Sequence, residues 1–189
     1  MSASLLWQIL FLGWCFSEIF IAFAMRTRNT GGNVRDRGTQ LMLWVVIVLA
    51  ITACNWTSGT HAATMFGGAH WLKIFSIVVL VLGLAIRWTA ILSLGKSFSA
   101  NVAIQPSQTI YRSGLYRWVR HPSYLGMLVI FLAIGIHSRN WIGLFVVLIP
   151  TTLALLYRIH VEETALNQAF GEAYSAYSKT TRRLLPFIY

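Results

Sequence analysis

The sequence predicts an all-α, polytopic membrane protein with about five transmembrane helices, the last two forming a helical hairpin, followed by a C-terminal cytoplasmic helix. Three observations predict it. Hydrophobic residues make up 57% of the 189-residue chain and charged residues only 11%, against roughly 25% charged in a soluble domain. Mean hydropathy is +0.64, which a chain this small cannot hide, because surface-to-volume scaling leaves much of it facing its solvent. Apolar runs of near-spanning length also recur along the chain. These features exclude a soluble enzyme, a disordered tail and a disulfide-stapled secreted module.

The first three spans are expected at about Leu5–Met25, Leu41–Trp56 and Trp71–Leu94, each near the ~20 residues needed to cross the hydrocarbon core. MSASLLWQIL has no basic leader and no A-x-A-like cleavage site, so it reads as a retained first span. A fourth run, Tyr124–His137, and a fifth, Trp141–Tyr157, are separated only by Ser138, Arg139 and Asn140. That spacing predicts a tight antiparallel hairpin. Cys15 and Cys54 both lie inside apolar runs and read as small packing residues with no redox or metal spacing.

Charge placement orients the chain. Fifteen bases oppose five acids. Arg26, Arg28, Arg35 and Arg37 follow the first span. Lys96, Arg112, Arg117 and Arg120 lie between the third and fourth, and Arg158, Lys179, Arg182 and Arg183 lie in the tail. All these fall on one side, with Lys73 and Arg139 on the other and Arg87 within a span. The positive-inside rule places the N-terminus outside and the tail in the cytoplasm. Basic residues flanking apolar runs belong at a membrane face, which argues against a nucleic-acid partner.

Residues 1–95 are expected to form a three-helix scaffold and residues 96–189 the chemically active part of one integrated domain. Three of the five acids, Glu162, Glu163 and Glu172, lie in the last thirty residues. Within the scaffold, Glu18 lies seven residues before Met25 and Arg87 eight before Gly95. Helical rise puts both about 10–12 Å from the inner ends of their spans. Ionisable groups at that depth pair or line a cavity, and a structural ion pair is the favoured reading.

Two stretches carry candidate chemistry. Gln108–Tyr124 reads QTIYRSGLYRWVRHPSY. Pro122 forces His121 out of helical geometry and suits the first position of the fourth span. The N–H groups of Ser123, Tyr124 and Leu125 are then expected to be open at a positive helix end, a setting that favours anions. The same residues also fit a basic juxtamembrane stretch resting on lipid phosphates, with Tyr116 and Trp118 as interfacial anchors. Tyr157–Phe170 reads YRIHVEETALNQAF. Arg158 and Glu162 share one helix face there, either as a plain salt pair or as functional groups. Leu166, Phe170, Tyr174 and Tyr177 form a stripe expected to dock the cytoplasmic helix. His61, His70 and His137 are isolated near the outer face and read as structural or interfacial. The sequence has no G-x-G-x-x-G, P-loop, H-E-x-x-H or Cys/His metal cluster, so no metal site is expected. Any cofactor must be held by helix ends and loops at the membrane boundary.

The series G-L-Y-R-W-V-R-H-P-S-Y-L-G, R-x-x-x-E-E, F-G-E-A-Y-x-x-Y and T-R-R-L-L-P-F, running from about Ser97 to Pro186, resembles the isoprenylcysteine carboxyl methyltransferase family. The first three spans match only in general character. The resemblance implies an integral-membrane enzyme that uses S-adenosylmethionine on a lipophilic substrate drawn from the bilayer. It implies cofactor contacts at Gln108, Thr109, Ile110, Tyr111, Tyr116, His121, Pro122, Ser123, Tyr124 and Glu162. It also implies substrate contact at Arg158, with Arg158 and Glu162 the catalytic pair. Gln108 departs from the family, whose members often carry histidine there, though glutamine can still hydrogen-bond.

A carboxylate acceptor needs no base, whereas an amine acceptor would draw in Glu163 or His160. Arg120, Arg182 and Arg183 suit either pocket closure or headgroup binding. The competing readings are a phospholipid or small-lipophile methyltransferase and a non-catalytic scaffold binding anionic lipid. Intramembrane sterol reductases have a similar tail, but are generally longer.

Overall fold

The computed structural model describes residues 2–24, 33–34, 38–57, 63–95, 98, 103–104 and 109–185. Its helices are α1 (Ala3–Ala24), α2 (Thr39–Thr57), α3 (Trp71–Leu94), α4 (Pro122–His137), α5 (Trp141–Phe170) and α6 (Glu172–Thr180). Two-residue strands β1 (Asn33–Val34) and β2 (Ala103–Ile104) pair antiparallel. Among the described residues the chain is thus all-α apart from that short ladder. α1, α2, α3 and α5 are long and apolar enough to cross a membrane. α4 is equally apolar but has 16 residues, or about 24 Å of helix against a hydrocarbon core of ~30 Å.

The hairpin expected from the Ser138–Asn140 spacing is present. Asn140 begins α5 in extended conformation, and its Oδ1 accepts from the N–H groups of Ile142 at 2.9 Å and Gly143 at 3.3 Å. This satisfies two donors that a helix start leaves without intrahelical partners. His137, at the same end, stacks on Trp7 with centroids 3.7 Å apart and has Nδ1 3.0 Å from Ser76 Oγ. His70 is exposed, and His61 lies outside the described residues.

α5 runs on past the apolar run that the sequence marks out. The fifth apolar run and the polar residues after Tyr157 form one element: α5 continues for 30 residues, with Pro150 inside it. Its apolar part ends at Tyr157, and the polar turns that follow carry Arg158, Glu162 and Glu163. Gly171 then stops the helix at φ +52, a conformation that costs glycine no Cβ strain. The stripe Leu166–Phe170–Tyr174–Tyr177 is therefore split between α5 and α6. Tyr174 and Tyr177 are buried, and Leu166 and Phe170 only half so.

α4 packs most extensively on α3, and α5 on α2. Gly83 and Gly126 permit the first of these contacts. A Cβ on Gly83 would lie 2.9 Å from the Ile130 backbone nitrogen, and one on Gly126 would lie 2.7 Å from that of Arg87. Small residues let the backbones meet where lipid provides no hydrophobic drive between helices.

Glu18 and Arg87 form the expected ion pair. Both are buried, at 3% and 5% exposure. Arg87 donates through Nε to Glu18 Oε1, and through Nη2 to Oε2 at 2.6 Å, a bidentate fork. Trp14 Nε1 donates to Glu18 Oε1 at 3.2 Å, and Arg87 Nη1 donates to Ser123 Oγ at 2.8 Å. One guanidinium thereby joins α1, α3 and the first turn of α4. Glu18→Gln and Arg87→Gln should each lower stability by about 3–5 kcal/mol, the usual cost of orphaning one buried charge. The double variant should lose much less than the sum, as measured by thermal unfolding in detergent. Strict additivity would show that the two groups are energetically independent.

Candidate functional site

The Arg87 anchor sets the depth of the site. Arg87 lies seven residues before the end of α3 at Leu94, or about 10 Å along the helix. Because Ser123 is bound to Arg87, α4 starts well inside the bundle and not at its rim. The approaching segment must descend to that level, which explains why Tyr116, Val119, His121, Pro122 and Ser123 are buried in a loop that looks polar in sequence.

Pro122 is the first residue of α4, as its fixed φ favours. The helix end is less open than expected. The N–H groups of Tyr124 and Leu125 both donate to the His121 carbonyl at 3.1 Å, so they are not available to an anion. His121, as the residue before the helix, supplies the acceptor that closes the first turn. The Ser123 hydroxyl accepts from Arg87.

The polar centre lies between α4 and the extension of α5. The Tyr124 hydroxyl donates to Glu162 Oε2 at 2.9 Å and accepts from Arg158 Nε at 2.9 Å. Arg158 Nη1 donates to Thr39 Oγ1 on α2, also at 2.9 Å. Thr39, Arg158, Tyr124 and Glu162 thus form one hydrogen-bonded chain drawn from three helices. Arg158 is 3% exposed, whereas the Glu162 side chain is 31% exposed. The chain runs from a buried cation to a carboxylate that a ligand can touch. His121 stacks on Tyr124, and its Nδ1 lies 3.7 Å from Glu162 Oε2.

Glu163, the neighbouring acid, has a different task. Its Oε1 accepts from Arg120 Nε at 2.8 Å and lies 3.4 Å from His121 Nε2, while Oε2 accepts from Arg183 Nε at 2.9 Å. Arg120 Nη1 also donates to the carbonyls of Ser178 and Thr181. Backbone bonds complete the clasp: Arg120 N–H to the Arg182 carbonyl at 2.7 Å, His121 N–H to that of Arg183 and Arg182 N–H to that of Trp118. The tail after α6 is therefore laid alongside the 118–121 segment as a short parallel pairing.

α6 completes the wall. Tyr177 donates to the Tyr116 carbonyl at 2.7 Å, and Arg112 Nη2 donates to the Ala173 carbonyl at 3.1 Å. Burial pushes the Tyr177 hydroxyl up to about 12 and that of Tyr174 further above its ordinary range, so both stay protonated. Tyr174 also carries the buried hydroxyl that lacks a hydrogen-bond partner among the described residues. It feels the charges of Glu163, Arg120 and Glu162, which places it beside the polar centre.

Residues 76–168 match the model of the isoprenylcysteine carboxyl methyltransferase family. The chain is 32% identical over 139 residues to the protein-S-isoprenylcysteine O-methyltransferase of Xenopus laevis, covering 71% of this chain and 48% of that one. It is 31% identical over 121 residues to the Tribolium castaneum enzyme of the same name, covering 63% and 43%. A solved eukaryotic intramembrane Ras methyltransferase superposes with a TM-score of 0.60 at 26% identity, over 79% of this chain and 51% of that one. The chain thus spans about half the length of these relatives.

The family-matched segment holds most of the residues that the sequence singled out. His121, Tyr124, Arg158 and Glu162 converge. Tyr116 is buried beside α3, with its hydroxyl 3.3 Å from the Ala90 carbonyl. Thr109 is exposed and Ile110 half-buried, and Tyr111 meets the edge of Tyr116 with centroids 5.6 Å apart. Gln108 lies outside the described residues. Sequence reasoning missed Thr39, for which no local signal exists at the head of an apolar run. It also missed the clasp on Glu163, which the doublet Glu162–Glu163 opposite Arg120 and Arg183 only hints at.

If the clasp holds the tail in place, Glu163→Gln should raise hydrogen exchange at the Arg182 and His121 amides about tenfold or more, because a local opening loses one member of a buried charge network. Unchanged protection would show that the backbone pairing holds without it.

Proposed function

We propose that this chain is an integral-membrane, S-adenosylmethionine-dependent methyltransferase whose acceptor is the carboxylate of a lipophilic, isoprenylated cysteine drawn from the bilayer. The observation that carries this reading is the Arg158–Tyr124–Glu162 chain. One tyrosine hydroxyl holds together a buried cation suited to a carboxylate and an accessible anion suited to an ammonium.

The residues fit the cofactor. Glu162 offers a partly exposed carboxylate for its amino group. Tyr174 offers a buried hydroxyl without a partner among the described residues, an arrangement that normally costs about 1–3 kcal/mol and that a bound polar group would relieve. Tyr111, Tyr116 and His121 supply aromatic surface on the neighbouring loop. When bound, S-adenosylmethionine supplies an electrophilic methyl group on a sulfonium.

The chain's own residues then align and desolvate. Arg158, anchored by Tyr124 and Thr39, presents its guanidinium to the acceptor carboxylate and sets the approach of the attacking oxygen. A carboxylate is ionised already and loses no proton. An amine acceptor would need a base, and neither candidate is placed to act as one. Glu163 is engaged by Arg120, His121 and Arg183, and His160 is exposed. This favours the carboxylate over a phospholipid amine. Depth within the bundle keeps water from the reacting groups. The positive-inside rule supports a cytoplasmic location for this end of the protein.

Calorimetric titration of detergent-purified protein with S-adenosylhomocysteine tests the reading. The wild type should bind, and Glu162→Ala should weaken binding by about 10- to 100-fold, the worth of a charge-assisted hydrogen bond. Absence of binding by folded wild type would overturn the methyltransferase reading and leave a lipid-binding scaffold.

A further inference from the structure

Thr39 is the first residue of α2, and Gly38 before it takes φ +77. At that position the helix enters the membrane boundary, yet Thr39 is only 1% exposed. Packing alone does not ask for threonine here, since valine has the same shape and brings no hydroxyl to satisfy. The hydroxyl is directed across to α5, where its Oγ1 accepts from Arg158 Nη1 at 2.9 Å. Tyr124 Oη accepts from Nε of the same guanidinium at 2.9 Å. An arginine side chain is long and rotates freely about its stem, but two acceptors on different helices fix the plane of its head group. One of those acceptors lies in the family-matched stretch 76–168 and the other lies outside it.

We infer that Thr39 is a positioning residue for the acceptor site: its hydroxyl sets the orientation of Arg158 and thereby the affinity for an anionic, carboxylate-bearing substrate. The inference rests on the methyltransferase reading and goes beyond it, because it assigns part of acceptor recognition to the α2 scaffold. Glu162 stands two hydrogen bonds further along the chain, with Tyr124 between it and Arg158. The effect of Thr39 therefore falls on the acceptor and not on the cofactor.

The test compares wild type, Thr39→Val and Thr39→Ser in detergent micelles. It uses N-acetyl-S-farnesylcysteine as acceptor, and S-adenosylhomocysteine titration as the measure of an intact cofactor pocket. Thr39→Val should raise KM for the acceptor about tenfold, the usual worth of one hydrogen bond to a charged group. Its kcat should stay within about threefold, and its S-adenosylhomocysteine affinity within about twofold, of the wild type. Thr39→Ser, which keeps the hydroxyl, should restore KM. An unchanged KM in Thr39→Val overturns the inference, as does equal damage in both variants, which would mark a packing role. A wild type that binds no S-adenosylhomocysteine overturns the methyltransferase reading itself, and the inference with it. A wild type that binds S-adenosylhomocysteine but does not methylate the farnesylated carboxylate leaves the cofactor reading standing and overturns both the proposed acceptor and the role of Thr39.

Discussion

The guanidinium of Arg87 holds the structure in register. A charge seven residues inside an apolar helix is costly unless it is fully partnered. Arg87 meets that demand with a two-point fork to Glu18 on α1 and a bond to Ser123 on α4. The second bond has the wider consequence. It fixes where α4 begins, and α4 begins deep in the bundle because Arg87 is deep. The close backbone approach at Gly83 and Gly126 works to the same end, letting α4 lie against α3 so that Ser123 meets Arg87.

Depth, in turn, shapes the site. A loop entering at the rim would present His121 and Tyr124 to water, where hydrogen bonds to carboxylates are weak. Carried inward, the same loop is buried, and each polar group in it must find a partner. The partners come from the polar turns of α5, from α6 and from the returning tail. Glu163 binds two arginines and the histidine together, leaving Glu162 as the more exposed carboxylate of the doublet. Two adjacent acids with nearly identical sequence context therefore have different tasks, because helical rotation points one at the Arg120–Arg183 clasp and the other at Tyr124.

Much of this was legible in the sequence. Hydropathy and spacing gave the long helices and the hairpin, and Pro122 marked the start of α4. The shared depth of Glu18 and Arg87 gave their pairing, since an isolated charge cannot persist there. The motif series singled out His121, Tyr124, Arg158 and Glu162, which the fold brings into contact. Two of the three donors expected to be open at the helix terminus are taken, because the His121 carbonyl accepts from the Tyr124 and Leu125 amides. The apolar fifth run and the polar residues after Tyr157 lie on one helix. A change from apolar to polar residues marks a change of solvent, and a helix can pass through that boundary unbroken until Gly171.

By itself, then, the sequence determined the solvent of this protein, its helical class, its hairpin and the residues that bear charge inside it. These follow from composition and from one-dimensional periodicity, which act locally along the chain. Only the tertiary structure decided which donor meets which acceptor. Thr39 and Arg158 are 119 residues apart, and Arg120 and Glu163 are 43 apart. No local propensity encodes such meetings. They are set when buried polar groups, each costly to leave unpaired, are brought within hydrogen-bonding distance by helices whose packing was fixed for other reasons.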